Sequence, residues 1–327
     1  ITPHQGARGL LIAPLPEPVP ETRPSRRRVG GLGLHRALRH RRCIIGREDR
    51  RLRGHNAGNM LLTMLSRYTG SFTSGVQALA EILDVKGRIL PVTTDKATLV
   101  AELTDGSRIY GEQAIDMPRG TQREKIRDVY LVPHHSDQVR VYPPVIKAIK
   151  AAELIILGPG DLFTSILPNL IVPGVTEALR SATAPIFFVI NVMTKYGETH
   201  RFKARDFVIE LETVLQRRLD GIIINSAKPN ASLLKAYREQ KADLVVVDTS
   251  DDWWADRRLV AADLLDTTGG VVRHDSRKLA ALIEEGVRGC GKSDDYVCLY
   301  PGRDPSGPDT PGRMGVAAPL PLAGSEG

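Results

Sequence analysis

Short apolar runs alternate with helix-type patterns along the chain between residues 126 and 285. The runs LIIL, IFFVIN and GIIIN carry almost no polar residue, which is typical of strands buried on both faces of a parallel sheet. Segments such as RDFVIELETVLQ and ASLLKAYREQ follow them, with apolar residues three and four positions apart. This alternation predicts an α/β fold in which a parallel sheet is covered by helices on both faces.

A different pattern lies between residues 97 and 113, where ATLVAEL and SRIYGEQ alternate apolar and polar positions. Asp105 and Gly106 separate the two segments, and Asp-Gly between alternating runs is a strong hairpin signal. We therefore expect a small antiparallel hairpin insertion that packs on an edge of the main sheet or forms a lid over it.

Further elements are expected on both sides of this hairpin. MLLTMLSRY predicts a helix, and Thr73 or Ser74 is expected to cap a second helix that runs to about Asp84. Near the other end, ADLVVVD is expected to form a strand and residues 257–265 a helix.

The positive charge of the chain is concentrated at its start. Residues 1–53 hold thirteen Arg, no Lys and four acidic residues, so the rest of the chain sums to −2 out of a total of +7. A basic nucleic-acid-binding arm is one interpretation, but the segment lacks aromatic residues to stack on bases, and nucleic acid is not the expected partner. We expect a basic, disordered or aberrant leader at 1–53, a folded domain at 54–285 and a flexible Gly/Pro-rich tail at 286–327.

The sequence does not predict a membrane span, a signal peptide or a cysteine-based site. No apolar run approaches the roughly 18 residues that a membrane span requires, and the first residues do not read as a signal peptide. The three Cys are scattered without a CxxC pair, so neither a disulfide framework nor a zinc site is predicted. A cytoplasmic protein without a membrane span or a metal site is expected.

A glycine-rich and hydroxyl-rich loop, GPGDLFTS, follows the predicted strand LIIL. In open parallel sheets, ligands bind outside the carboxyl ends of the strands. Gly158 and Gly160 would let backbone N–H groups approach an anion, and Thr164 and Ser165 would add hydroxyl donors. The loop therefore predicts a phosphate site, although a plain βα turn has the same composition.

Two other loops share this composition: the segment after IFFVIN and the segment that leads into MLLTMLSRY. Two side chains in the three loops have a second interpretation, because His55 could cap its helix and Asp161 could be either a helix cap or a metal ligand. No nucleophile triad is found. The candidate ligand- or phosphate-binding residues are Gly54, His55, Asn56, Gly58, Asn59, Gly158, Gly160, Asp161, Thr164, Ser165, Asn169, Asn191, Thr194, Gly197, Glu198 and Thr199.

Three stretches of the chain resemble the motifs of the YvcK/CofD-like family. GHNAGNMLL, LGPGDLFTSILPNLIVPGV and NVMTKYGET are similar to GHxxGNL, LGPGSLYTSxxPNLLVPGI and NxMTQPGET, in the same order. The likeness covers about residues 52–285 and implies a Rossmann-like fold that binds a phosphorylated nucleotide ligand. The family's GGGTG and DDGGSSGR motifs are not found intact.

The resemblance implies a choice of functions. One branch is a nucleotide-sugar-binding regulatory protein, with a UDP-N-acetylglucosamine-like ligand, linked to cell shape and gluconeogenic growth. The alternatives are a CofD-type 2-phospho-L-lactate transferase of deazaflavin coenzyme synthesis and an inactive, truncated family member. The first is preferred, which leaves catalysis an open question.

The expected partners and cofactors follow from the same resemblance. The partner is a UDP-sugar or another nucleotide, a homodimer is the expected assembly, and no resident cofactor is predicted, although Mg²⁺ is admitted with a nucleotide ligand. Asp161 stands where the family motif has Ser. Its negative charge would lie near a phosphate unless a cation or a helix terminus compensates.

Overall fold

The computed structural model describes residues 57–117, 123–247, 252–286 and 296–301. The expected leader, the candidate residues Gly54, His55 and Asn56, and most of the expected tail lie outside the described residues. The elements are α1 Ala57–Tyr68, α2 Phe72–Ile82, β1 Ala97–Leu103, β2 Arg108–Tyr110, α3 Glu112–Asp116, β3 Ile126–Pro133, α4 Pro143–Lys150, β4 Ile155–Leu157, a π-helical turn Leu162–Ile166 that continues into α5 Leu167–Leu170, α6 Val175–Arg180, β5 Ile186–Val189, α7 Ala204–Leu215, β6 Gly221–Asn225, α8 Ala231–Glu239, a 3₁₀ turn Asp252–Trp254, β7 Arg258–Ala262, β8 Leu265–Asp266, β9 Arg273–His274, α9 Ser276–Gly286 and β10 Tyr296–Pro301.

The main sheet has the strand order β10-β7-β6-β5-β4. The strands β4 to β7 are parallel to their neighbours, with Phe187 paired with Gly221 and Ile223 paired with Val260. β10 pairs antiparallel with β7 at one edge. The predicted parallel sheet is confirmed, and β10 shows that part of the expected tail is an edge strand.

Alternate residues of β5 pack in two separate hydrophobic cores. Ile186 and Phe188 belong to the larger core, while Phe187 and Val189 belong to the smaller one. Successive strand residues point to opposite faces, so both faces of the sheet are covered. Helix α9 covers the second face through Leu282, and helices α4 to α7 pack over the first, which confirms the predicted two-sided arrangement.

The predicted hairpin is part of a three-stranded antiparallel sheet with the order β2-β1-β3. β1 pairs with β2 around the expected turn, where Ser107 N donates to Asp105 Oδ1 over 2.9 Å. β3 pairs with β1 along its whole length, from Ala97 opposite Pro133 to Leu103 opposite Ile126. The small sheet packs its apolar face into the larger core.

Two element predictions near the end of the domain are wrong. The helix expected at 257–265 is the buried strand β7, and ADLVVVD forms only one isolated bridge, between Met193 and Leu244, within its described part. A strand buried on both faces has no period-two alternation, so RLVAA could not be separated from a helix by pattern. β7, and not ADLVVVD, is the strand that pairs with β6 in the parallel sheet.

The cap of α2 also differs from the prediction. Ser71, rather than Thr73 or Ser74, is the N-cap residue, and its side chain accepts a hydrogen bond from Ser74 N over 3.0 Å. An N-cap oxygen satisfies an N–H group in the first turn, which explains the preference for serine at this position. Across the described ranges, no helix is both long and apolar enough to cross a bilayer.

Candidate functional site

Two loops meet at the carboxyl edge of the parallel sheet. One follows β4 through Gly158 and Gly160, and the other follows β5 through Asn191. Because β4 and β5 are adjacent parallel strands, both loops leave the sheet at the same edge. Gly160 N donates to Asn191 Oδ1 over 3.0 Å, so the two loops are in direct contact.

The two glycines of the first loop have different structural needs. Gly158 has a φ of +76°, and a Cβ there would lie 2.9 Å from Val189 O, so a side chain would be strained twice over. At Gly160 a Cβ would meet its nearest atom, Ser165 Cβ, at an ordinary 3.5 Å. Close packing of the protein therefore requires glycine at 158 and does not require it at 160.

Lys195 lies at the centre of the site. Its Nζ contacts Asp161 Oδ2 at 3.0 Å, Glu198 Oε1 at 2.8 Å and also Asp116 Oδ1. One carboxylate oxygen from each of Asp116, Asp161 and Glu198 lies within 4.8 Å of the other two, and we call these three residues the carboxylate cluster. The cluster joins the loop after β4, the loop after β5 and the end of α3.

The burial of these groups shifts their titration. Burial on its own would lower the pKa of Lys195, but the charges of Glu198 and Asp161 and the hydrogen bond to Asp116 outweigh it and hold that pKa above its usual range. Burial raises the pKa of Glu198, a shift that Lys195 opposes. Lys195 is therefore a permanently charged ammonium at neutral pH.

Glu198 is held from a second side by Thr164. The Thr164 hydroxyl lies 3.1 and 3.2 Å from the two carboxylate oxygens of Glu198, and both residues are buried. The Thr164 hydroxyl, predicted as a donor to a phosphate, is buried and hydrogen-bonded to Glu198 in this structure, and its role toward a ligand stays a prediction. A buried carboxylate requires such donors.

The loop after β5 is stabilised by internal hydrogen bonds. Thr194 Oγ1 accepts from Asp243 N over 2.8 Å, and Thr199 Oγ1 accepts from Lys195 N over 3.0 Å. Gly197 has a φ of +84°, which favours glycine at the turn. The side chains of Thr194 and Thr199, predicted as ligand contacts, are buried and shape the loop.

The remaining predicted residues lie in two places. Asn169, in α5, donates from Nδ2 to Ser165 O over 2.6 Å, which ties the π-helical turn to the next helix. Gly58 and Asn59 lie in the first turn of α1, a helix that packs mainly against α2. The structure therefore brings the second and third motifs together, while the first motif is described only from Ala57 onward.

Sequence reasoning missed three charged residues at this site. Lys195 lies inside the motif NVMTKYGET but was not singled out, and Asp116 is 79 positions away from it in sequence. Arg123 has its guanidinium in the electrostatic field of Glu198 and donates from Nη1 to Ile115 O over 3.0 Å. Only Lys195 carried a sequence signal, since the resembled motif has Gln at its position.

The pairing of Lys195 with Asp161 shows how the negative charge of Asp161 is compensated. The Asp161 carboxylate makes no capping hydrogen bond to the turn that it precedes, and it is paired with the ammonium instead. The negative charge is therefore compensated by a cation of the chain itself, and the helix terminus is not needed for that purpose.

Comparisons with known proteins agree with the motifs. The family model described as 2-phospho-L-lactate transferase CofD matches residues 28–265. The chain is 37% identical over 237 residues to the putative gluconeogenesis factor of Thermotoga maritima, covering 71% of this chain and 72% of that protein. It is 34% identical over 233 residues to the gluconeogenesis factor of Bacillus subtilis, covering 71% of each. A crystal structure of a protein from Bacillus halodurans aligns with a TM-score of 0.68 and 29% identity, covering 79% of both chains.

Proposed function

The chain belongs to the CofD/YvcK family as a relative of the bacterial gluconeogenesis factors, and on that premise we propose that it is a nucleotide-sugar-binding regulatory protein. The ligand is of the UDP-N-acetylglucosamine type. Its diphosphate binds at the carboxyl edge of β4 and β5, and its binding regulates cell shape and growth on gluconeogenic carbon sources.

The contact between Gly160 N and Asn191 Oδ1 carries this proposal. It joins two polar, glycine-containing loops at the edge where open parallel sheets bind their ligands. With Oδ1 committed to Gly160, the Nδ2 group of Asn191 is the part of the amide that offers donors to an oxyanion. The main-chain N–H groups of residues 161–164, at the start of the π-helical turn, are the further donors in this proposal.

The charges around the edge are compatible with an anionic ligand. Lys195 neutralises part of the carboxylate cluster, and Arg123 adds a second cation that interacts electrostatically with Glu198. Without these cations the negative charges of the carboxylate cluster would repel a diphosphate bound nearby.

Thermal shift with UDP-N-acetylglucosamine, GDP and NAD tests the proposal, because a ligand that binds only the native state raises the melting temperature. We expect UDP-N-acetylglucosamine to give the largest rise. A protein that none of the three stabilises would be the inactive family member, and the proposal would fail.

The first prediction concerns Asn191→Asp. Aspartate keeps the acceptor for Gly160 N but places a negative charge beside the diphosphate, so the fold should persist while the dissociation constant for the ligand rises by about tenfold or more. Titration calorimetry measures this change. The matched control is Asn230→Asp, since Asn230 caps α8 by accepting from Leu233 N and aspartate caps equally well. Equal weakening in both variants would contradict the proposed location.

A transferase is the second candidate, favoured by the description of the matching family model as 2-phospho-L-lactate transferase. In such a reaction the protein would position the substrates and stabilise the charge on the transferred phosphate. Transfer from a phospholactyl donor to a deazaflavin acceptor, followed by chromatography, distinguishes the two functions. If the wild type forms product and Asn191→Asp does not, the protein is a transferase and the regulatory proposal is wrong.

A further inference from the structure

Three carboxylates that converge within 4.8 Å are a ligand set of the kind that Mg²⁺ or Mn²⁺ prefers. Asp116, Asp161 and Glu198 come from three different segments, and Glu198 has only 1% of its side chain exposed. A buried carboxylate needs a cation or hydrogen-bond donors, because its own charge is poorly solvated. The question for this site is therefore which cation the three carboxylates bind.

The ammonium of Lys195 occupies this position. It has three N–H donors, and it contacts one oxygen of each member of the carboxylate cluster. A magnesium ion bound to the same oxygens would lie about 2.1 Å from each of them, and therefore almost on top of the ammonium. Two cations at such a separation repel strongly, so the oxygens can serve the ammonium or a metal ion but not both.

The two charges of the pair occur together in this sequence. Asp161 and Lys195 carry opposite charges, and Asp161 Oδ2 lies 3.0 Å from Lys195 Nζ. A lone Asp161 would add repulsion to the cluster, and a lone Lys195 would have one carboxylate fewer to pair with. Each residue therefore offsets a charge that the other would leave uncompensated in the cluster.

We propose that Lys195 is the permanent counter-ion of the carboxylate cluster and takes the place of a divalent cation at the carboxyl edge of the sheet. It is a positioning residue that holds the loops after β4 and β5 against α3 without metal. Mg²⁺ that accompanies a nucleotide would then bind to the phosphates rather than to these three carboxylates. The inference does not rest on the proposed ligand.

The test compares melting temperatures of the wild type and Lys195→Gln in EDTA and in millimolar MnCl₂ or MgCl₂. We expect the wild type to be unaffected by metal. In EDTA, Lys195→Gln should melt about 5 to 15 °C lower, because Glu198 is left buried without its partner. Metal should restore much of that loss, since the vacated oxygens can now bind it.

Two variants separate this role from a merely structural one. Lys278→Gln removes an exposed pair with Asp263 and should show neither the loss nor the metal response. Asp161→Ser combined with Lys195→Gln restores the neutral residues of the resembled motif and should melt higher in EDTA than Lys195→Gln alone.

The outcome that overturns the proposal is a metal response in the wild type that equals that of Lys195→Gln, or no response in Lys195→Gln. If Lys195→Gln does not fold, electron paramagnetic resonance of Mn²⁺ with the wild type decides. The proposal is overturned if the wild type binds Mn²⁺ and Asp116→Asn does not. It is supported if the wild type shows no Mn²⁺ binding that requires Asp116.

Discussion

At the scale of single residues, His274 links the end of the domain to the carboxyl edge of the sheet. It lies in β9, and its ring forms a hydrogen bond with the backbone of Ile190, the residue before Asn191. Burial lowers the pKa of His274 to about 4, and the hydrogen bond to Ile190 opposes that shift only in part. His274 is therefore a neutral, partly buried histidine in the native state.

This environment predicts a loss of stability in mild acid. A depressed histidine pKa means that the unfolded state binds a proton first, so stability is full above the unfolded value of about 6.5 and falls as the pH drops toward the folded value. Between about pH 7.5 and pH 5 the wild type should lose about 2 kcal/mol more than His274→Gln. Urea unfolding at both pH values measures the difference. His135→Gln, at an exposed position, should behave as the wild type does; equal pH slopes for the wild type and His274→Gln would refute the prediction.

Residue-level expectations agree with the structure where the backbone conformation decides, and they did not include contacts with partners that are distant in sequence. The glycine loop after β4 was predicted from composition, and Gly158 does require glycine. The hydrogen bond from the Thr164 hydroxyl to Glu198 could not be predicted, because Glu198 lies 34 positions away in sequence. Asp116 could not be connected with Lys195 by spacing, because packing of the small sheet on the main sheet brings them together.

At the scale of elements, the end of β6 is fastened by one side chain. Asn225 Oδ1 accepts from Leu264 N over 3.0 Å, and Asn225 Nδ2 donates to Ala227 O over 2.7 Å. Asn225 and Leu264 are buried, so water does not replace these bonds. The amide thereby joins the carboxyl end of β6 to the segment between β7 and β8.

Asn225→Ala should destabilise the domain by about 2 to 3 kcal/mol, because it leaves the buried N–H of Leu264 without its acceptor. Asn230→Ala removes an exposed helix cap and should cost only about 1 kcal/mol. Urea unfolding at neutral pH gives both values. A loss for Asn225→Ala no larger than that for Asn230→Ala would show that the strand end is not fastened in this way.

The order of the elements could be predicted for most of the domain, and the errors have one cause. IFFVIN and GIIIN were recognised as buried strands because β-branched and aromatic residues dominate them. RLVAADLL is equally apolar but rich in Ala and Leu, so propensity favoured a helix where the sheet required a strand. Tertiary context decided the assignment of 258–262 and of ADLVVVD.

At the scale of the whole molecule, the two sheets share one core. Leu99 and Val129 of the small sheet lie in the same buried cluster as Leu170 and Phe207, which pack beside the parallel sheet. The ion pair between Lys195 and Asp116 crosses the same junction at its polar end. Packing and electrostatics together therefore fix the position of α3 relative to the loops after β4 and β5.

The predicted fold class needed no tertiary information, whereas the site did. Alternation of strands and helices along the chain is enough to predict a parallel sheet, and loops at the carboxyl ends of its strands follow from that topology. The carboxylate cluster depends on how a separate antiparallel sheet docks. The local sequence of β1 to β3 does not indicate how the antiparallel sheet packs against the parallel sheet.

A crystal structure of the protein with UDP-N-acetylglucosamine is the measurement that tests the account most directly. The account predicts diphosphate density against the main chain of residues 158–165 and the Asn191 side chain, with the Lys195 ammonium still paired with the carboxylate cluster. A nucleotide bound away from the carboxyl edge of β4 and β5, or a metal ion in place of the ammonium, would contradict it.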